Sequence, residues 1–354
     1  MPSSCASLDS GEVPALGSEL DWGIGMDANI PCLAVVNDSR NELMASSSGG
    51  GFSILARHVL GEGGGVYGHA FTEGLHVKCV RVDSIEGLDC LRGSKYVQSD
   101  MGDAMRGVRD DLCSGAPVLF SGTPCQVDGL LSFLDGGHDN LLTVDIVCHG
   151  VPSWEFFKDC IDVEFAGRDL VELRFRDKRE GWGCGGGGGT VLHNQKMKDV
   201  PFAPEVSYYY KRFLAGDVYR ESCYRCPYAG GERPGDLTIG DFWGIDSADA
   251  GLDPRRGISL VLANSHKGRE LLPVIKKSST WAERDALEAV AGNDQLRHPT
   301  PRPKERDAIL KRWRERGIES LEDQYRRETG HSAASWRVLR LLKRVLRPLL
   351  RREN

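Results

Sequence analysis

Eleven cysteines punctuate the 354 residues. The number is odd and the spacing is not that of a short disulfide scaffold, so metal ligands, catalytic thiols and core filler are the roles to weigh. Four of them are placed for chemistry. Cys125 and Cys148 each follow an apolar run of strand length, PVLFSG and LLTVDIV. In parallel α/β sheets ligands bind beyond the C-terminal ends of the strands, so two strands can deliver these sulfurs to one edge. The turn Ser121-Gly122-Thr123-Pro124 also sets Cys125 at a predicted helix N-terminus, where backbone N–H groups favour thiolate. Cys223-Tyr224-Arg225-Cys226-Pro227 is a C-x-x-C knuckle, which lets one turn supply two sulfurs to one centre. Four thiolates suit a 4Fe-4S cluster or a zinc ion. Zinc sites commonly show two knuckles, and here there is one followed by proline; spacing alone leaves both open. Cys5, Cys32, Cys79, Cys90, Cys113, Cys160 and Cys184 read as filler or surface residues.

A second candidate is the turn Ser46-Ser47-Ser48-Gly49-Gly50 ahead of SILARHVLGEGG, a predicted helix closed by glycine. The first N–H groups of a helix lack intrahelical partners and bind anions, and glycines let backbone approach a pyrophosphate. The same pattern also serves as a plain cap, and it is not the G-x-G-x-x-G fingerprint. Arg176, Asp177 and Lys178 form a charge run that either holds an acidic substrate or is simply solvated.

These residues need a scaffold. CLAVVN at 32–37 reads as a strand, and GVYGHAF with LHVKCVRVD reads as a strand pair. GDAMRGVRDDLCSG reads as a helix, PVLFSG as a strand, TPCQVDGLLSFL as a helix and LLTVDIV as a strand. VELRFRDK, DLTIGDFWG and GISLVLANS read as further strands, and residues 303–330 and 335–353 as helices. The Gly-rich run Cys184–Gly189 reads as a loop. Strands alternating with helices predict an α/β fold: a mixed, largely parallel sheet with flanking helices and a C-terminal helical extension. The expected divisions are a disordered leader at 1–28, a redox domain at 29–300 and a helical extension with a basic amphipathic tail at 301–354. The composition, 40% hydrophobic and 27% charged with net charge −6, is that of a globular chain. No apolar run is long enough to span a bilayer and the N-terminus lacks signal-peptide features, so a cytoplasmic location is expected. Outside its basic tail the chain is acidic, which argues against nucleic acid as a partner.

Five segments in order resemble the coenzyme F-420 hydrogenase/dehydrogenase beta subunits. They are SSSGGGFSILA at 46–56, LRGSKYVQSD at 91–100, LFSGTPCQVDGL at 119–130, TVDIVCHGVPS at 143–153 and SCYRCPY…GDLTIGDFWG at 222–244. The resemblance runs from about Cys32 to about Pro301. It implies an iron–sulfur flavoprotein whose FAD passes electrons between a cluster and a hydride acceptor, which is the deazaflavin coenzyme F-420 in archaeal relatives and a chlorophyll derivative in a plant relative. Cys125, Cys148, Cys223 and Cys226 fall on the family's 4Fe-4S ligands, which decides against zinc. Many bacterial relatives carry an N-terminal ferredoxin domain that this chain lacks, so a separate ferredoxin-like or other iron–sulfur partner is expected to supply electrons. The Gly-rich run departs from the family's more ordinary strand.

The resemblance also gives roles to single residues. Ser47, Ser48, Gly49 and Gly50 are implied to hold FAD phosphates, with Thr123 beside them. Lys95 would face the flavin ring as a cation that stabilises its reduced anion. Tyr96 would stack or hydrogen-bond there, and Trp243 would wall the site. His149 would donate to a cluster sulfur or act as an acid. The rival enzyme is a reductase of a saccharide or lipid-linked intermediate, and the rival from another class is a non-catalytic electron-transfer or docking subunit. The tail SWRVLRLLKRVLRPLLRRE repeats apolar residues at three- and four-residue steps among basic ones. It suits peripheral contact with the inner face of a membrane, or docking on an acidic surface. An oligomer is a further expectation.

Overall fold

The computed structural model describes residues 29–179, 181–182, 187–193 and 196–329. Its strands are β1 (Cys32–Asn37), β2 (Gly65–Phe71), β3 (Val77–Val82), β4 (Val118–Gly122), β5 (Leu141–Ile146), β6 (Asp169–Arg174), β7 (Gly187–His193), β8 (Lys196–Phe202), β9 (Leu237–Asp241), β10 (Ser259–Ala263) and β11 (Ser279–Arg284). The central sheet is eight-stranded, in the order β11-β1-β10-β9-β5-β4-β2-β3. Neighbours β2, β4, β5 and β9 are parallel. β3 pairs antiparallel at one end, and β10, β1 and β11 follow antiparallel at the other. β1, β2, β4, β5 and β9 therefore point the same way, and the sheet is the mixed, largely parallel one expected.

Burial explains why the central strands read as unbroken apolar runs. In β4, Val118 and Phe120 face one side with Val108, Leu112, Val127 and Leu130 from the helices Ala104–Cys113 and Pro124–Phe133. Leu119 faces the other side with Leu55, Ala56 and Val59 of the helix Gly51–Gly61. A strand covered on both faces has no polar side to alternate with.

β6, β7 and β8 form a separate antiparallel sheet. It packs with the helices Trp154–Glu164 and Tyr208–Ala215 around Phe156, Phe157, Phe175, Tyr209 and Phe213. Here the structure corrects the sequence reading. Gly187, Gly188 and Gly189 are not loop but strand β7. A Cβ at Gly187 would collide with the Arg174 carbonyl of β6. The glycines permit close pairing, at the conformational cost glycine carries in a strand. The helix expected over 303–330 is two helices, Arg306–Arg316 and Glu319–Thr329, divided at Gly317, whose φ of 73° is left-handed. Leu310, Ile318, Leu321 and Tyr325 from this pair lie in the same aromatic core. The leader 1–28, the tail helix 335–353 and Cys184 lie outside the described residues.

Candidate functional site

The C-terminal ends of β4, β5 and β9 open on one edge, and the turns that follow them carry the candidate residues. After β4, Thr123 caps the helix Pro124–Phe133. Its backbone N–H donates to Gln126 Oε1 at 2.9 Å, Pro124 supplies a pre-set first turn, and Cys125 lies in that turn. Thr123 Oγ1 lies 3.2 Å from Cys125 Sγ. After β5 come Val147, Cys148 and His149. The knuckle arrives from the aromatic unit. Tyr219, four residues ahead of Cys223, bridges to Pro152, and the Arg220 N–H donates to the Val151 carbonyl at 2.9 Å. Gly150 must lack a side chain there, because a Cβ would enter the Tyr219 ring. Beyond the knuckle, Tyr228 donates to Asp128 Oδ2 at 2.7 Å, tying the turn to the helix that bears Cys125.

The result is one cavity of about 50 Å³ lined by Cys125, Cys148, Cys223 and Cys226, with His149 and Tyr228 on its wall. The sequence reading brought these four together, and the fold does so. Burial above all pushes the Cys148 thiol up to about 12, with Cys223, Cys125 and Cys226 adding to it. Burial likewise raises Cys223, and Cys125 and Cys226 again add. Each thiol thus sits within the field of the others. Among the described residues no group of three or more His, Cys, Asp or Glu is gathered tightly enough to hold a single metal ion. Zinc would draw four sulfurs to about 2.3 Å from one point. A cavity needs only about 10–15 Å³ to admit one water, so this one has room for a polyatomic group. Arg233, which also lines the cavity, forms a buried pair with Asp145 at 2.5 Å that fastens the knuckle segment to β5. Arg233 also donates to the carbonyls of Tyr228 and Ile146.

The other predicted residues meet different fates. Ser47 Oγ accepts from Ser94 N and Oγ, and Ser48 Oγ donates to the Ile258 carbonyl at 2.8 Å. Gly49 and Gly50 are buried, and a Cβ on Gly49 would strike the Val35 carbonyl and the Ser259 nitrogen. Gly50 holds φ at 85° against Asn37. Close packing between β1 and β10 therefore requires Gly49 to be bare, and a positive φ beside Asn37 favours glycine at 50. Lys95 Nζ donates to the carbonyls of Cys90, Leu91 and Arg92, closing the helix Leu88–Leu91. That differs from an ammonium aimed at a ring. Lys178 is likewise committed, to the carbonyls of Leu43, Ser48 and Arg256. His149 is exposed, and its carbonyl accepts from Thr300 at 2.7 Å.

Tyr96 and Trp243 belong to a second cluster on the same edge. Tyr96 stacks on Phe213 with centroids 4.4 Å apart, and its hydroxyl accepts from Arg176 Nη1 at 3.3 Å. Arg176 Nη1 also donates to Asp241 Oδ2 at 2.8 Å, at the end of β9. Trp243 lies under the Arg176 guanidinium and stacks on Trp182. Asp241 ends β9 beside β5, and Val147, next to Cys148, donates its N–H to the Ile239 carbonyl of β9 at 2.9 Å, so this cluster neighbours the turn that bears Cys148. Sequence reasoning missed Trp182 and Arg233, and it placed Asp241 at this sheet edge without giving it a role. The signal for Asp241 was there, an acid at a strand end within a recognised segment, but nothing in the sequence joins it to Arg176.

Residues 116–287 match the family described as the C-terminal part of the coenzyme F420 hydrogenase/dehydrogenase beta subunit. Over that segment the chain is similar to the F420 hydrogenase/dehydrogenase beta subunits. The match includes the four cavity cysteines and Trp243; the Ser/Gly turn and Lys95 precede it. No curated protein matches the chain. Among solved structures, the F420-reducing [NiFe] hydrogenase complex from Methanosarcina barkeri, studied by xenon derivatization, aligns over 79% of this chain and 91% of its own. The TM-score is 0.50 and the identity 14%, a likeness of fold. For this beta-subunit-like chain, the matched segment and the cavity coincide.

Proposed function

We propose that this chain is an oxidoreductase that holds a 4Fe-4S cluster through Cys125, Cys148, Cys223 and Cys226 and passes electrons between it and FAD, toward a two-electron small-molecule acceptor of the coenzyme F-420 type. The observation that carries the reading is that four thiols, from two strand ends and one knuckle, line one cavity. A cluster moves electrons singly and a flavin delivers them as a hydride, so the two together couple a one-electron donor to a two-electron acceptor. The chain's own residues fix the thiols in place. The capped turn at Thr123 orients Cys125, the Arg233–Asp145 pair anchors the segment bearing Cys223 and Cys226, and Tyr228 and Pro299 complete the lining. A separate iron–sulfur protein is the proposed electron partner.

One rival gains from a specific observation. Because the Ser/Gly turn and Lys95 direct their donors within the protein, a subunit that keeps the cluster and carries no flavin remains a distinct alternative. Anaerobically purified protein is expected to hold about four iron and four sulfide per chain. Cys125→Ser, Cys148→Ser, Cys223→Ser and Cys226→Ser should each remove most of that iron, while Cys113→Ser, at an exposed position, should not. One zinc and no sulfide would overturn the reading. Bound flavin absorption that bleaches on reduction separates the catalytic form from the docking subunit.

A further inference from the structure

Arg233 and Asp145 are both buried, their side chains 1% and 0% exposed. Arg233 Nε and Nη2 donate to Asp145 Oδ1 at 3.1 and 2.5 Å, and Oδ2 accepts the Gly235 N–H at 2.9 Å. Each carboxylate oxygen therefore has a donor, as a buried anion requires. The guanidinium reaches two carbonyls as well, Ile146 from Nη2 at 2.9 Å and Tyr228 from Nη1 at 2.8 Å. Ile146 stands two residues before Cys148, and Tyr228 two residues after Cys226. Two residues span at most about 7 Å, so the guanidinium is bracketed by the cavity's cysteines.

The pair is also oriented. Among the described residues lining the cavity, Arg233 alone carries a permanent charge, and Asp145 is not one of them. The positive end of a buried ion pair therefore meets the cavity, and the negative end is set behind it. Removing two charges from water costs several kcal/mol per ion, and an apolar pair of similar volume would often join two segments as well or better. A charge at this wall has a use beyond fastening. The field of a buried charge is little screened by salt. A centre held by four thiolates gains one negative charge on reduction, and a cation beside it favours the reduced form.

We infer that the Arg233–Asp145 pair sets the reduction potential of the centre held by the four cysteines: Arg233 raises it, and Asp145 limits the rise. Arg233 acts here as a tuning and positioning residue, not as a ligand. The inference rests on the 4Fe-4S reading above and adds the residues that decide how readily that centre takes an electron. A raised potential lets a weaker one-electron reductant fill it.

The test is a redox titration of the full-length protein, purified anaerobically with its cluster and followed by EPR, beside iron and sulfide analysis. Asp145→Asn keeps the shape and removes the anion. It should shift the one-electron equilibrium tenfold toward the reduced form, a rise of about 59 mV in midpoint. Adding Arg233→Gln to Asp145→Asn should reverse that shift by at least tenfold. Neither of these variants leaves a buried carboxylate without its cation, so both are expected to fold. Arg233→Lys keeps the charge and loses the planar fork. It should stay within twofold of the wild-type equilibrium while its iron content falls, because the ties to Ile146 and Tyr228 are lost. A purely structural role predicts iron loss in all three with no shift that follows charge. An unchanged or lowered midpoint in Asp145→Asn, or no difference between it and the double variant, with iron intact, overturns the tuning role and leaves the cluster standing. Wild-type protein without iron and sulfide overturns the cluster reading and the tuning role together.

Discussion

Lys95 shows how a residue in a recognised segment can have a purely local occupation. Burial pushes its ammonium down to about 7, and its three N–H groups point at three carbonyls of one helix end. Helix C-termini leave such carbonyls unpaired, and a cation there also meets the negative end of the dipole. Lys95→Met is expected to cost about 1–3 kcal/mol by orphaning these acceptors. Thermal melting should record that loss while iron content and FAD affinity stay at wild-type values. A tenfold fall in FAD affinity at unchanged stability would return Lys95 to the flavin. Arg176 differs because its Nη2 has nothing to donate to.

Between elements, the weak seam is where the helix Glu319–Thr329 meets the aromatic unit. Glu164 ends the helix Trp154–Glu164, and its Oε1 accepts from Ser207 Oγ and Tyr209 N, both at 3.0 Å. Burial first, and then Glu322, push Glu164 up to about 8. Burial first pushes Glu322 up to about 7; Arg326 opposes this, and Asp323 and Glu319 add to it. Its Oε2 accepts from Arg326, and Oε1 is buried with no partner. Both folded values lie above the ordinary 4.5. The fold therefore binds protons more tightly than the unfolded chain, and the stabilisation, full below about 4.5, is lost as pH rises through 7 and 8. Amide exchange in 319–329, corrected for its intrinsic rate, should accelerate between pH 5 and pH 8. Glu322→Gln should flatten that dependence and stabilise the seam at pH 8. An equal pH response in the variant would place the sensitivity elsewhere.

At the scale of the whole molecule, the four cysteines join two cores. Cys125 and Cys148 extend the central sheet, whereas Cys223 packs against the aromatic core and reaches the sheet edge with Cys226. No described helix is long and apolar enough to cross a membrane. The basic amphipathic segment 335–353 lies outside the described residues, and its membrane role stays a proposal from sequence. Seven Lys or Arg residues against one acid in 331–354 predict binding to anionic vesicles, each basic residue near the surface contributing about 1 kcal/mol. Flotation with the full chain and with a form lacking 331–354 measures it. Equal recovery of both at physiological salt would remove the tail as the contact.

What the sequence determined by itself was local or patterned. Strands covered on both faces announce themselves as apolar runs, so β1, β4, β5 and β10 were legible, and so was the helix opened by Thr123-Pro124. The four cysteines were legible because strand-end placement and a knuckle are short-range signals, and because the segments around them resemble a family. Other features were decided only in three dimensions. Gly49 reads as part of a phosphate turn, and the backbone of Ser259 in β10, far away in the chain, also requires it to be bare. Gly187 to Gly189 read as loop, yet a neighbouring strand needs their missing side chains. Arg176, Trp182, Asp241 and Trp243 carry no common motif. They meet because a turn after β6 folds over the end of β9. A side chain's partners are set by whichever backbone passes nearest, and chain separation does not encode that distance.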